Sequence, residues 1–233
     1  VVIKYEYGKW KAYESDAENA PEKLLLWEGS NQNTPVTAAT FPLDGSAPYT
    51  VSVSDDQSTD AKLKASDYLW YYDEVSPDVN GIRISFCHIM SKVKIEITLG
   101  NEYADDTDPV TSVAVLNTNT QALYEPKNAS ATLFGNLTEP KAILACKTGY
   151  NSGTRTASFE VILVPQTVTA GSFGLSILVG DNTYEWFSSA EVTLGGNKEY
   201  TLSLTAGKDK VSGNSFTTSE WGSSTPGIDR ATY

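Results

Sequence analysis

Histidine and cysteine, the residues that most often bind metals or act as nucleophiles, are scarce in this chain of 233 residues. His88 is the only histidine, which excludes every site that needs two. Cys87 and Cys146 show neither the CxxC nor the Cys/His spacing of a zinc site. A Cys87–His88 dyad is sterically poor, because neighbouring side chains on a strand point to opposite faces. We therefore predict no metal, no cofactor and no enzymatic activity, with His88 packing or hydrogen-bonding at the start of a strand.

The two cysteines each lie in an apolar stretch, at residues 84–87 and 142–146. Cysteine behaves as a small apolar residue and is often buried, so one interpretation is two buried free thiols. A single disulfide between Cys87 and Cys146 is the alternative, and it would connect the two domains predicted below. The sequence leaves both possibilities open.

Positive charge and long apolar runs are also lacking. The chain has 17 Lys and Arg against 29 Asp and Glu, a formal net charge of -12. Such a surface repels phosphate backbones and anionic lipid, so we expect no nucleic-acid partner. No apolar run reaches the roughly 18 residues of a spanning helix, so we expect no membrane span. The chain begins at Val1 with neither methionine nor a signal peptide, and we expect a processed or truncated product.

The dominant pattern is an alternation of apolar and polar residues, seen in residues 1–7, 93–99 and 200–205. Successive side chains of a strand point to opposite faces, so each segment predicts a strand with one face in a core. Residues 161–164 are continuously apolar and residues 175–179 nearly so, as in strands buried on both faces. With 40% apolar residues, the chain can form a sizeable core.

Two turns that contain glycine predict hairpins. The first is at residues 180–182. The second, at residues 195–197, would join a strand at 192–194 to the strand at 200–205. Helical signals are weak and short, as in residues 60–72. Many short strands separated by turns predict an all-β fold of the sandwich type.

The best candidate for a domain boundary is the polar, acidic segment 101–109, which ends in proline and has strand patterns on both sides. We predict an N-terminal β-sandwich at residues 1–104 and a C-terminal β-sandwich at residues 105–233. The tail from Thr217 contains the Gly- and Ser-rich segment 222–227, which cannot add to a core. We expect this tail to be extended or loosely held.

Aromatic residues are plentiful, with five Trp and thirteen Tyr. Most are expected to be core and strand residues. Trp70, Tyr71 and Tyr72 are different, because three adjacent rings cannot all face one core. They are candidates for an exposed surface that binds glycan or protein.

Several short motifs together resemble the fimbrillin-like proteins of Bacteroides-type bacteria. The most specific one runs from Asp56-Gln57-Ser58 through Ser66-Asp67-Tyr68-Leu69 to the Phe-Cys-His-Ile-Met-Ser-Lys sequence of residues 86–92. The remaining similarities are Leu26-Trp27, residues 38–42, Val164-Pro165-Gln166, residues 196–204 and Trp221-Gly222. The resemblance covers most of the chain.

The resemblance implies two transthyretin-like β-sandwich domains in tandem. It also implies export as a lipoprotein precursor by way of the outer membrane, followed by assembly with other subunits into an extracellular fimbria on the cell surface. In polymerising members of the family, a protease removes an N-terminal segment after an arginine. The resulting groove is filled by a strand that a neighbouring subunit donates. Main-chain hydrogen bonds and alternating side chains hold such a strand.

The resemblance also suggests which residues take part in this assembly. The donated segment would be residues 211–233, and its suspected contacts are Val211, Phe216, Thr218 and Trp221. The suspected acceptor groove would be bordered by the edge at Val1, Ile3 and Tyr5.

Two other functions compete with a structural subunit. One is a fimbrial tip or surface adhesin that binds host glycan or protein through exposed aromatics such as Trp70, Tyr71 and Tyr72. The other is a hydrolase, which ranks last because one histidine and no nucleophile motif leave little catalytic machinery.

Overall fold

The structure, a computed structural model, describes residues 2–6, 9–13, 34–40, 48–75, 85–103, 108–127, 130–136 and 139–222. Nearly all of its regular structure is strand, as the sequence predicts, and α1 (Asp60–Ala65) is the one helix among these residues. The strands before residue 100 are β1 (Val2–Glu6), β2 (Lys9–Tyr13), β3 (Thr34–Ala39), β4 (Tyr49–Ser52), β5 (Leu69–Val75), β6 (Cys87–His88) and β7 (Ser91–Leu99).

The strands after residue 100 occupy most of the remaining described chain. They are β8 (Val110–Thr118), β9 (Gln121–Lys127), β10 (Ser130–Asn136), β11 (Lys141–Leu144), β12 (Cys146–Asn151), β13 (Thr156–Leu163), β14 (Gln166–Val168), β15 (Gly174–Val179), β16 (Asn182–Phe187), β17 (Val192–Leu194), β18 (Lys198–Ala206) and β19 (Val211–Glu220).

Five sheets arise from these strands. The N-terminal sheet has the order β2-β1-β3-β5-β6, and a small sheet has the order β10-β9-β4. The central sheet has the order β12-β13-β7-β18-β19, the facing sheet has the order β11-β8-β15-β16, and β14 pairs with β17. The central and facing sheets pack against each other with their buried side chains in a common core, which is the arrangement of a β-sandwich.

The middle strand of the central sheet, β7, has the alternation that the sequence predicts. Val93, Ile95 and Ile97 are fully buried. On the opposite face, Lys92 Nζ lies 3.0 Å from Glu160 of β13, and Lys94 Nζ lies 2.7 Å from Glu199 of β18. The hydrogen bond to Glu199 raises the pKa of Lys94. One face of β7 thus contributes to the core, while the other joins three strands through charge pairs.

The two predicted turns have different outcomes. Residues 180–181 form a tight hairpin between β15 and β16, with Gly180 at φ 59°, as expected. The second hairpin prediction is wrong, because β17 pairs with β14 and not with β18. The chain here packs closely against the end of β6: a Cβ on Gly196 would lie 2.8 Å from the Ile89 carbonyl oxygen. Asn197, at φ 57°, donates its N–H to the Met90 carbonyl.

The weak helical signal at residues 60–72 corresponds to two elements. The Thr59 side chain accepts a hydrogen bond from the Lys62 N–H and caps α1, which ends at Ala65. The aromatic residues that follow belong to β5, which pairs antiparallel with β3. A helix of six residues buries only Leu63, so the segment is mainly a connection into the N-terminal sheet.

The domain boundary predicted at residues 104 and 105 stays a prediction, and one pairing bears on it. β7 precedes that boundary, yet it is hydrogen-bonded to β13 on one side and to β18 on the other. The buried apolar residues of both halves also belong to one cluster. A division ahead of β7 would leave the central sheet intact, whereas one at residue 104 would cut through it.

Gln57 joins the loop before α1 to the central sheet. Its side chain is fully buried, and its amide nitrogen donates to the Ile162 carbonyl at 2.7 Å. Its amide oxygen accepts the Ile162 N–H at 2.8 Å. The side chain thus satisfies both backbone groups of one residue of β13, as a neighbouring strand would. This is a physical role for the central residue of the Asp56-Gln57-Ser58 motif.

Replacing Gln57 by leucine should lower the free energy of unfolding by about 2–4 kcal/mol, since each buried backbone group left without a partner costs about 1–3 kcal/mol. Leucine has a similar volume, so little cavity contributes. Urea unfolding is the measurement, and Ser58→Ala, at the exposed neighbour, is the matched control. A Gln57→Leu variant as stable as the wild type would contradict this role.

Candidate assembly edge and adhesion surfaces

The predicted donor segment begins with β19, which forms one edge of the central sheet. It pairs antiparallel with β18 from Lys198 opposite Glu220 to Ala206 opposite Val211. On its other side, no described strand pairs with it. The segment that the sequence predicts as a donor is therefore, in the single chain, an edge strand bound to its own sheet.

The side chains of β19 are anchored only in part. Phe216 is half-buried, with its ring 5.3 Å from Tyr200 and 6.1 Å from the fully buried Phe173. Val211 is also half-buried, whereas Thr218 is exposed. No described β19 side chain is fully buried, in contrast to the alternating buried residues of β7 and β18. Phe216 is thus the main apolar anchor of this edge.

An irregularity interrupts the pairing of β19 with β18. The register shifts between Ser203 and Thr205, and Gly213 on β19 has a φ of 113°. This conformation is open to glycine but strained for other residues. The Gly213 carbonyl accepts a hydrogen bond from Trp186 Nε1 at 2.9 Å, and the Tyr184 hydroxyl donates to the Lys208 carbonyl at 2.5 Å. From the facing sheet, one aromatic side chain of β16 therefore holds β19 and another holds the connection that precedes it, a role that no sequence pattern indicated.

The two residues just after β19 contact strand β6 and the segment between β17 and β18. The Trp221 N–H donates to the Asn197 carbonyl, and its ring stacks on the His88 imidazole at 3.8 Å with an interplanar angle of 3°. His88 is buried and lies 2.7 Å from Asp67 and 3.1 Å from the Gly222 carbonyl. The prediction of a structural, hydrogen-bonded His88 is confirmed. Its stacking partner Trp221 is one of the residues that the sequence resemblance placed in the donor segment.

The predicted acceptor edge has a different environment from the one expected. Val1 lies outside the described residues, whereas Ile3 and Tyr5 belong to β1. β1 is an inner strand, bonded antiparallel to β2 and parallel to β3, so its main chain is not free to accept another strand in this state. The alternation that predicted a strand is confirmed, but its position at an edge is not.

Trp70, the first of the three aromatic residues predicted to form a binding surface, does not face solvent. Trp70 is buried at 6% exposure, and its ring lies 6.4 Å from Tyr49 and 5.5 Å from Tyr124. Burial raises the pKa of Tyr124, with a smaller contribution from Cys87. Tyr71 is half-buried, and the Tyr72 side chain lies outside the described residues. Trp70 faces inward because β5 alternates, so it stabilises the core and is not available to a ligand.

Both cysteines are free thiols, which answers the question that the sequence left open. Cys146 is buried as expected, and this burial raises the pKa of its thiol. Cys87 is exposed, contrary to the expectation of two buried residues, because His88 takes the inward position of the two-residue strand β6. The structure therefore contains no covalent link between the two halves at these positions.

Neither a metal centre nor a membrane-spanning helix is found within the described ranges. No three or more His, Cys, Asp or Glu side chains gather there in an arrangement that could hold a metal ion. Asp56 pairs with Lys62, and the hydrogen bond from Lys62 holds the pKa of this carboxyl well below its usual range. Over the same ranges, no helix has the length and hydropathy to cross a bilayer.

One open cleft of about 480 Å³ lies beside the small β14–β17 sheet. Its lining is uncharged and consists mainly of amide and hydroxyl side chains: Asn117, Asn119, Pro140, Gln166, Thr167, Val168, Thr169 and Ser172. Gln166 Oε1 accepts the Asn119 N–H at 2.9 Å and so fixes one wall. Such a lining suits neutral polar ligands better than charged ones.

These features define a β-sandwich protein with a weakly anchored edge strand and an uncharged surface cleft. Solved structures support the fold. A Bacteroides uniformis protein assigned to cell adhesion is similar with 20% identity and a TM-score of 0.56, over 82% of this chain and 74% of its own. A Bacteroides ovatus protein with the same assignment has 16% identity and a TM-score of 0.58, over 85% and 74%. At these identities the similarity concerns the fold.

The model of the fimbrillin-like family matches residues 5–221, which is nearly the whole chain. The chain therefore belongs to the fimbrillin-like family, as its motifs suggested. No match is found among curated proteins. Membership of this non-enzymatic family supports a fimbrial or adhesive role, a location at the cell surface and assembly with other fimbrial subunits.

Replacing Phe216 by alanine should lower the free energy of unfolding by about 1–3 kcal/mol, less than the 3–5 kcal/mol of a fully buried phenylalanine because the ring is half-exposed. It should also increase amide exchange in β19 more than in β7, since Phe216 is the main apolar anchor of this strand. Urea unfolding and hydrogen exchange are the measurements. Thr217→Ala, at the exposed neighbour, should change stability by less than about 0.5 kcal/mol. Equal effects of the two substitutions would contradict this role.

Proposed function

We propose that this protein is a structural subunit of a bacterial cell-surface fimbria and that copies join by donation of the segment at residues 211–233. The donated contacts are Val211, Phe216, Thr218 and Trp221. The supporting observation is β19 itself: a strand near the C-terminal end of the chain, at a sheet edge, with no described side chain fully buried. Such a strand can leave one sheet edge and pair with an equivalent edge at modest cost.

The acceptor that we propose is the edge of β18 that β19 occupies in the single chain. When β19 leaves, β18 exposes a row of main-chain hydrogen-bonding groups together with the site of the Phe216 ring beside Tyr200. The same segment of a neighbouring copy fits this edge in the same register. Acceptance at Ile3 and Tyr5 would need β2 or β3 to leave β1 first.

Export and partners follow from this assignment. The subunit would reach the surface by way of the outer membrane as a lipoprotein precursor and polymerise there with copies of itself or with other fimbrial subunits. Its acidic surface favours solubility before assembly.

A disulfide that holds β19 on its own β18 tests the exchange. Thr201 and Thr217 lie directly opposite each other. Opposite residues of antiparallel strands have Cα atoms about 4.5–5.5 Å apart, within the range that a disulfide bridges. We expect the Thr201→Cys/Thr217→Cys variant, made with Cys87→Ser and oxidised as a monomer, to stay monomeric at concentrations where the reduced form makes polymers.

Size-exclusion chromatography and negative-stain microscopy measure this difference. Thr201→Cys with Cys87→Ser is the matched control, because it has the same chemistry without the intrachain bridge and should polymerise under both conditions. Deletion of residues 211–233 should also abolish polymers. Polymers from the oxidised double-cysteine variant would contradict exchange of β19, and polymers from the deletion variant would contradict donation by this segment altogether.

A second candidate function, a tip or surface adhesin, is favoured by the uncharged cleft beside β14 and by the cell-adhesion assignment of the two similar structures. With Trp70 buried, the cleft replaces the aromatic surface as the candidate binding site. Amide and hydroxyl groups there could hydrogen-bond the hydroxyl groups of a glycan.

A glycan array with the wild type and Thr169→Trp tests this candidate, since an indole at Thr169 would fill the cleft. An adhesin that uses the cleft should bind at least one glycan class in the wild type and lose the signal in the variant. Thr183→Trp, on the exposed face of β16, is the control and should bind as the wild type does. Empty arrays, or a signal that survives in Thr169→Trp, would remove the cleft from consideration.

A further inference from the structure

The hydrogen bonds of His88 connect two segments that are far apart in sequence. Nδ1 lies 2.7 Å from Asp67 Oδ1, in the connection between α1 and β5. Nε2 lies 3.1 Å from the carbonyl oxygen of Gly222, just after β19. The Trp221 ring stacks on the imidazole at 3.8 Å. Asp67, His88, Trp221 and Gly222 are called the His88 latch below.

The two hydrogen-bond partners of the imidazole determine how many protons the closed latch holds. A carbonyl oxygen only accepts hydrogen bonds, so Nε2 must donate to Gly222. An ionised carboxylate also only accepts, so Nδ1 must donate to Asp67 unless the carboxyl itself is protonated. In either case the closed latch holds one proton more than a neutral imidazole beside a carboxylate. A neutral imidazole that donates to Asp67 turns its Nε2 lone pair toward the Gly222 carbonyl, and this contact is repulsive.

The charged groups around the ring are compatible with the additional proton. The Nζ of Lys92, on β7, lies 5.9 Å from the centre of the Trp221 ring. Its charge is compensated by Glu160 at 3.0 Å and Glu199 at 3.5 Å. Beyond it, Lys198 of β18 pairs with Glu220 of β19. Within β6 itself, the neighbouring Cys87 is a free, exposed thiol.

The stacked indole adds a second contact that depends on the charge. An imidazolium above the face of a tryptophan is attracted by the electrons of the ring, whereas a neutral imidazole is attracted less. The hydrogen bond to Gly222 and the stack on Trp221 therefore weaken together when the proton leaves. Both contacts lie at the same end of β19.

We propose that the His88 latch is a pH-sensitive device that holds the C-terminal end of β19 on the chain at mildly acidic pH and releases it as the pH rises. Histidine side chains in general gain or lose their proton between about pH 5 and 8, so the test compares pH values toward the two ends of that range. Because the closed state binds one proton more than the open state, a rise in pH favours the open state.

The device controls access to the edge of β18. Opening starts at Trp221 and Gly222 and removes the contacts of these two residues with His88 at the C-terminal end of β19. In the proposed assembly this would favour departure of the strand at higher pH. The latch itself does not rest on that assembly, because all of its contacts lie within one chain.

Hydrogen exchange of the monomer at pH 5.5 and pH 8.0, corrected for the intrinsic exchange rates, tests the proposal without any polymer. The amides of residues 217–222, among them the Trp221 N–H that donates to Asn197, report the opening. Linkage to one proton changes an opening equilibrium by up to about tenfold per pH unit. We expect protection in the wild type to fall about tenfold between the two pH values.

His88→Gln and Asp67→Asn should each reduce the ratio of protection at pH 5.5 to protection at pH 8.0 to less than about twofold. Neither variant needs an additional proton to satisfy its hydrogen-bond partners. Asp67 is 23% exposed, so its substitution tests the latch even where His88→Gln fails to fold. Lys198→Gln is the matched control: it removes an ion pair of β19 without a linked proton and should lower protection equally at both pH values. A wild-type ratio below about twofold, or an Asp67→Asn variant that keeps the wild-type ratio, would overturn the proposal.

Discussion

The parallel pairing of β7 with β18 is the contact on which the rest of the described structure depends. Nine consecutive positions pair, from Ser91 opposite Lys198 to Leu99 opposite Ala206. Parallel neighbours cannot be joined by a short turn, so the chain between these strands forms the facing sheet and returns. β18 then has one edge on β7 and the other free for β19. The position of the C-terminal strand at a sheet edge is thus a consequence of this non-local pairing.

Individual strands were predictable from the sequence, whereas their neighbours were not. The alternation at Val93, Ile95 and Ile97 was sufficient to predict a strand with one buried face, because the pattern reflects the pleat of the strand alone. The position of β1 inside a sheet depends on its parallel partner β3, whose pairing has no local signature. The same limit explains why the segment at residues 195–197 looked like a hairpin.

The candidate sites, like the strand neighbours, depend on contacts between residues that are far apart in sequence, and local patterns do not indicate such contacts. The sequence indicated that three adjacent rings in β5 could not all face one core. It could not indicate that Trp70 would be the inward one, packed between Tyr49 and Tyr124. The partnership of His88 with Trp221 and Gly222 spans more than 130 residues, and only the fold brings these groups together. The family motifs at residues 86–92 and Trp221-Gly222 contain both partners of this contact, but they do not indicate that the two segments are adjacent in the fold.

Strand β19 combines two properties: it closes the central sheet of the single chain, yet no described side chain of it is fully buried. A subunit that polymerises through this strand needs both, because the monomer must be soluble before assembly and the strand must be able to leave. The most direct measurement is a cryo-electron microscopy structure of the assembled fibre, in which the connection between residues 206 and 211 can be traced. If subunits exchange β19, the strand beside each β18 comes from a neighbouring copy. A fibre in which every β19 lies on its own β18, with copies joined through other surfaces, would contradict it.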